Sequence, residues 1–282
     1  MTQAQSEPTV LEMIEATVSY IFDTGVKPVS ATVGPGGRLR QRTANVDQQK
    51  IRIQNARSLQ DEFTLDTHGF ELAPQKSAVK DFFNEEEIKS VYYPEIEQLI
   101  KGRYGASRVL IFDHTLRSGD ETVRAEKFYR EPVPIVHNDY TDWSGPQRVR
   151  DLLPADEAEA LLQHRMAIIQ VWRAIREPIR SHPLAICDSR SVAPQDLIAA
   201  ERRHEDRVGE IYQLTYNPDH RWFYFPEMHR DEALVFKVYD SETDGRARFT
   251  AHVSFEDPTT PADAPPRESI EIRAIAFFAP IA

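Results

Sequence analysis

From Ser107 to the C-terminus the chain is a succession of short β-branched and aromatic runs separated by Pro, Asp and Asn, a texture that calls for antiparallel strands. The runs fall at 108–114, 134–140, 166–172, 184–187, 210–215, 222–225, 233–239, 248–253 and 269–278. Closely spaced short strands of this kind form a double sheet or barrel with helices packed outside. The expected class is therefore mainly β with flanking helices, around a double-stranded β-helix (jelly-roll, cupin-like) core. A helical insert is expected between 144 and 165, where Ala158, Leu161 and Leu162 share a face. The Pro-rich stretch 257–266 reads as a long hairpin connection between the last two strands.

The first 105 residues read differently. An apolar-periodic stretch at 10–22 is followed by the breaker Gly34-Pro35-Gly36-Gly37, and together they suggest a peripheral arm. Alternating segments at 50–53 and 69–72 precede an acidic amphipathic helix at about 84–102, which reads as scaffold. No repeat or flexible linker divides the chain. Residues 1–282 are expected to form one domain, with 1–105 as an N-terminal arm and supporting helices and 106–282 as the β-helix core.

Composition narrows the function. The 40% hydrophobic content supports a sizeable core, and a net charge of -11 disfavours a nucleic acid partner. Residues 1–8 carry no basic group and no apolar stretch is long enough for a membrane span, so a cytoplasmic protein with no membrane partner is expected. Cys187 is the only cysteine, which excludes an intrachain disulfide, a thiolate zinc cluster and an iron–sulfur centre. Any metal must be held by histidine and carboxylate.

His137-Asn138-Asp139 meets that requirement. Side chains two apart on a strand share a face, so one imidazole and one carboxylate converge. His252, on a later strand, would complete a two-histidine, one-carboxylate set that leaves open positions for a bidentate co-substrate and oxygen, and iron(II) is the natural occupant. Downstream, Arg267 and Ser269 offer a guanidinium fork and a hydroxyl on one strand face, a pair suited to the distal carboxylate of 2-oxoglutarate. Arg273 is the fallback anchor.

These residues sit within blocks that resemble a known family. The blocks are FDHTLR at 112–117, VHNDYT at 136–141, VWR at 171–173, PLAICD at 183–188, FKVYDS at 236–241, Ala251-His252, FEDP at 255–258 and PPRESIEIR at 265–273. In this order they resemble the hydroxylase/desaturase family of fungal and bacterial secondary metabolism. That family includes the aspergillic acid cluster hydroxylase/desaturase, the gibberellin desaturase and proteins related to the cephalosporin 7-alpha-methoxylase.

The resemblance implies a double-stranded β-helix and an iron(II)/2-oxoglutarate-dependent dioxygenase. Such an enzyme hydroxylates, desaturates or cyclises a small secondary metabolite by removing hydrogen from an unactivated C–H bond. The resemblance puts the iron ligands at His137, Asp139 and His252 and the co-substrate contacts at Arg267 and Ser269. The spacing from His252 to Arg267 is longer than is usual in the wider superfamily, and the 257–266 turn is expected to absorb the excess.

Other residues invite weaker readings. His114 and His229 are rival ligands, but the first reads as a hydrogen-bonded strand histidine and the second follows Pro226 in a turn. Alternation lets only one of Trp172 and Arg173 face a pocket. Tyr140 neighbours the site if the strand ends there, Trp222-Phe223-Tyr224-Phe225 reads as ordinary core, and Glu85-Glu86-Glu87 as a solvated helix start. Cys187, inside an apolar strand, reads as buried and inert.

Expected partners are a small-molecule substrate and dioxygen. A homodimer is also allowed, since 10–22 can pack on its own barrel or on a second subunit. Two alternatives stay open at this level: a zinc-dependent cupin-like hydrolase or isomerase using the same triad, and a non-catalytic accessory subunit that binds a metabolite.

Overall fold

The computed structural model describes residues 12–33, 38–121, 130, 133–205 and 207–278. Among these are fifteen strands: β1 (Met13–Ile21), β2 (Val29–Val33), β3 (Arg38–Arg42), β4 (Val46–Asn55), β5 (Phe70–Pro74), β6 (Arg108–Ser118), β7 (His137–Asn138), β8 (Met166–Ala174), β9 (Leu184–Cys187), β10 (Leu197–Arg203), β11 (Val208–Leu214), β12 (Trp222–Tyr224), β13 (Glu232–Asp240), β14 (His252–Ser254) and β15 (Glu268–Phe277). They form two sheets. The larger is ordered β1-β4-β12-β9-β14-β7-β11-β10-β2-β3 and the smaller β5-β13-β8-β15-β6. Trp172, Phe236 and Ile275 of the smaller sheet pack against Ile186 and Phe223 of the larger, giving the jelly-roll core that the strand spacing predicts.

The smaller sheet explains its own sequence. Strands β8 and β15 are buried along their whole length, so they lack the polar alternation of a half-solvated strand. Ile168 and Trp172 face the inter-sheet core, while Ala167, Ile169 and Val171 lie under Ile88, Tyr92, Ile96 and Ile100. Those four residues come from the helical stretch expected at 84–102, which starts where the Asn84 side chain accepts from the N–H groups of Glu86 and Glu87. The stretch ends as α1 (Tyr93–Tyr104), capped by Gly105 at φ 73°. The insert expected at 144–165 is two short helices, α2 (Ser144–Leu152) and α3 (Ala155–Leu161).

The segment 10–22 is not an arm. Its described part forms β1, which alternates exposed and buried residues and pairs antiparallel with β4. Val136 N–H donates to Ser19 O at 2.8 Å and Ser19 N–H to Pro134 O at 3.3 Å, so β1 also stitches onto the chain just before His137. Six strands, β1, β4, β12, β9, β14 and β7, thereby close around a cluster that includes Val18, Tyr20, Val136, Ala251 and Val253. Period-two burial was present in the sequence, but both pairing partners are distant along the chain and nothing local marks them. The breaker at 34–37 lies outside the described residues.

The runs expected at 134–140 and 248–253 are reduced to β7 and β14, and the Asn138 side chain marks where β7 ends and β14 begins. Asn138 Nδ2 donates to Tyr140 O at 2.7 Å and Val238 O at 2.9 Å, while its Oδ1 accepts from Thr250 N at 3.0 Å. These bonds satisfy backbone that a continued ladder would otherwise pair, so the chain can leave the sheet at Asp139. The connection 257–266 consists of two successive turns, closed by Thr260 N to Asp257 O and Ala264 N to Pro261 O, each 3.0 Å. It takes up the extra length between His252 and Arg267. Strand β10 was not among the sequence expectations.

Candidate metal centre

Strands β7 and β14 lie side by side with His252 directly opposite His137. Their rings are 4.4 Å apart between centroids and tilted by 51°. His137 Nδ1 donates to Ile135 O at 2.7 Å and His252 Nδ1 to Thr250 O at 3.1 Å. A carbonyl only accepts, so each Nδ1 carries a proton, which leaves Nε2 of each ring as the atom that can face a metal. Burial, reinforced by the neighbouring His137, pushes the His252 imidazole down to about 4, which keeps it neutral.

Asp139, one residue past β7, brings Oδ1 to 3.4 Å from His137 Nε2. One ligand atom from each of His137, Asp139 and His252 falls within 4.8 Å of the others, a spacing that fits a single metal ion. The second carboxylate oxygen is held from the opposite sheet: Gln170 Nε2 donates to Oδ2 at 2.5 Å and Arg273 Nε at 3.1 Å. Gln170 and Arg273 are directly opposed on β8 and β15. Burial alone would raise the Asp139 carboxyl, but Arg273 and then His137 hold it well below the usual carboxylate range.

Arg273 was the fallback anchor for the co-substrate. Its nitrogens are instead committed: Nε to Asp139, Nη1 to Asp113 at 3.0 Å and Thr115 at 2.9 Å, and Nη2 to Glu271. It belongs to the carboxylate side of the metal centre.

Arg267 is different. It is 2% exposed, its Nη1 donates to His182 O at 2.5 Å and Ser254 Oγ at 3.2 Å, and its Nε has no hydrogen-bond partner. Ser254 lies two residues beyond His252 and shares its strand face. Ser269, fully buried, also has an unpartnered Oγ. Two orphaned buried polar atoms of this kind point to an acceptor supplied by a ligand, because leaving them unpaired costs about 1–3 kcal/mol each. Trp172 lies 5.7 Å from the guanidinium carbon of Arg267, while Arg173 points the other way, under Tyr92. Only the tryptophan of that pair reaches the inter-sheet space, as alternation requires.

The rival histidines are elsewhere. His114 Nδ1 is 2.8 Å from the Tyr93 hydroxyl, and its Nε2 is 3.3 Å from Glu85. His229 is an exposed turn residue 3.8 Å from Glu177. Tyr140 lines the same cleft as Asp139, because the strand has already ended. Phe223 is inter-sheet core, and Trp222 and Tyr224 pack on the other face of the larger sheet.

Gln170 escaped the sequence reading. A lone amide inside the apolar run Met166–Ala174 was the available signal, since a buried polar side chain demands a partner.

A jelly roll with a two-histidine, one-carboxylate set is the arrangement of non-haem iron oxygenases of the double-stranded β-helix type. Residues 18–277 match the family described as Oxidoreductase/YMDC permease-like domain, and the chain belongs to that family. Hydroxylase/desaturase efuI of Hormonema carpetanum is 32% identical over 305 aligned positions, covering 99% of this chain and 98% of that one. The Fe(II)/2-oxoglutarate-dependent dioxygenase nvfI of Aspergillus novofumigatus is 33% identical over 236, covering 81% and 83%. The solved structure of the iron and alpha-ketoglutarate-dependent endoperoxidase NvfI superposes with a TM-score of 0.85 at 28% identity, over 95% of this chain and 99% of that one. These relatives do not favour the hydrolase, isomerase or accessory-subunit readings. Among the described residues no helix is long and apolar enough to cross a membrane.

Proposed function

We propose that this chain is an iron(II)- and 2-oxoglutarate-dependent dioxygenase that hydroxylates, desaturates or cyclises a small secondary metabolite. His137, Asp139 and His252 would hold the iron, and Arg267 with Ser269 would take the distal carboxylate of the keto acid. The observation that carries the reading is the convergence of three ligand atoms within 4.8 Å on a site whose two imidazoles both offer Nε2. Iron(II) bound there with the keto acid and dioxygen supplies the oxidising power for an unactivated C–H bond.

The chain's own residues set the geometry. Gln170 and Arg273 tie down one oxygen of Asp139, which leaves the other for the metal. His137, Asp139 and His252 would supply three ligands to the ion and would leave its other positions for co-substrate and oxygen. Arg267 Nε and Ser269 Oγ are buried donors lacking an acceptor, which is what a carboxylate provides.

The decisive experiment is an anaerobic titration of the apo-protein with iron(II) and then 2-oxoglutarate, following the visible charge-transfer band of an iron-bound keto acid. A band that saturates at one equivalent of each is the expected result. Iron-loaded, folded protein that gives no band overturns the proposal.

A further inference from the structure

The cleft that reaches Asp139 and Tyr140 is ringed by arginine. Arg148 comes from α2, Arg202 from β10, Arg207 from the turn between β10 and β11, and Arg130 lies beside β6. In a chain of net charge -11 this is a concentration of the minority charge at one opening.

The acidic groups that line the same cleft are already engaged. Asp113 pairs with Arg273 at 3.0 Å, Asp151 accepts from Gln147 at 2.8 Å, and Glu210 binds Lys27 and, at 2.6 Å, the Thr141 hydroxyl. Asp139 is held by Gln170 and Arg273. Among the described residues no carboxylate lies within ion-pair distance of Arg148, Arg202 or Arg207.

Arg148 shows that the site is built. Its guanidinium carbon sits 4.9 Å from the Phe112 ring, and its Nε is buried without a hydrogen-bond partner. A planar cation held on an aromatic face with an unmet donor is preorganised for an anionic acceptor. Arg202 adds to the same field: burial lowers it first, Asp139 opposes, and the guanidiniums of Arg273, Arg117 and Arg207 lower it further. Uncompensated cations drawn together out of water are costly, and an anion placed among them relieves both desolvation and mutual repulsion.

We propose that this rim is the docking site for an anionic group, a carboxylate or phosphate, carried by the substrate, with Arg148, Arg202 and Arg207 as its contacts. The proposal rests on the oxygenase reading above and specifies its substrate class. The anion is held at the mouth, while the remainder of the substrate extends along Tyr140 toward the metal centre. This site is separate from Arg267, whose guanidinium is buried near Trp172 and Ser254.

The test uses protein loaded anaerobically with iron(II) and 2-oxoglutarate, and two fluorescent probes. These are 8-anilinonaphthalene-1-sulfonate and N-phenyl-1-naphthylamine, which shares the aromatic frame but lacks the sulfonate. The sulfonate should bind at least about tenfold more tightly than the amine, one such step being about 1.4 kcal/mol. Arg202→Gln combined with Arg207→Gln should remove that preference while the charge-transfer band titrates as in wild type. The Arg202→Lys, Arg207→Lys pair should restore part of it, which separates charge from a folding defect. Displacement by hexanoate or by hexyl phosphate tells carboxylate from phosphate.

Equal binding of the two probes overturns the proposal, as does sulfonate binding unchanged in the Gln variant, or failure of both anions to displace it. A wild-type protein that forms no band defeats the oxygenase reading instead. An intact band without anion preference defeats only the anion site.

Discussion

Arg273 Nε lies 3.1 Å from Asp139 Oδ2, so the last strand of the smaller sheet grips the carboxylate that leaves the larger one. The same guanidinium answers Glu271 and Asp113. Replacement by glutamine should strand buried carboxylate charge at a cost of about 3–5 kcal/mol, lowering Tm and loosening iron together. Thermal melts and iron stoichiometry after gel filtration check this. A variant that keeps wild-type iron content would show that Asp139 does not depend on Arg273 for its orientation.

Asp139 and Arg267 should fail in different ways. Asp139→Ala removes a proposed ligand, and iron retention should be abolished. Arg267→Ala should leave iron binding intact and weaken 2-oxoglutarate by at least about tenfold, since a charge-assisted pair is worth roughly 1.5–3 kcal/mol. Paired iron and keto acid titrations of the two variants separate the roles, and unaltered affinity for both ligands in both proteins would sink the assignment.

Gly69 couples backbone to metal centre. It sits at φ 90°, and a Cβ there would collide with the Thr250 hydroxyl, on the residue whose carbonyl orients His252. Gly69→Ala should destabilise by about 1–3 kcal/mol through strain and overpacking. The expected signature is a lower urea midpoint accompanied by weaker iron binding. A lower midpoint with unchanged iron affinity would uncouple Thr250 from the site.

Cys187 is fully buried, and burial pushes its thiol up to about 12. Because the thiolate is the reactive form, the native protein at pH 8 should not react with a disulfide reagent such as dithionitrobenzoate, and one equivalent should react on unfolding in urea. Rapid labelling of the folded protein would mean that β9 opens locally.

Much of the candidate site follows the period of a strand. His137 and Asp139, and again Arg267 and Ser269, are pairs two residues apart, and a two-residue spacing predicts a shared face without knowledge of the partner strand. Gln170 and the contact between Arg273 and Asp139 were not legible. Their meaning lies in their register across β8 and β15 and in their reach across the core to Asp139. The arm reading of 10–22 failed for the same reason, since Ser19 finds Ile135 only after the larger sheet has curled.

The sequence by itself determined the strand-rich class, the presence of a helix beginning near Asn84, and the residue types able to bind a metal without thiolate. Each of these is a local matter of side-chain periodicity, backbone conformation or chemical identity. Tertiary structure decided which histidine faces His137, which arginine steadies Asp139 and which keeps an unpaired donor, and that several arginines meet at one cleft. Those outcomes depend on sheet register and on the packing of one sheet against the other, which bring together residues far apart in the chain and which no short window of sequence encodes.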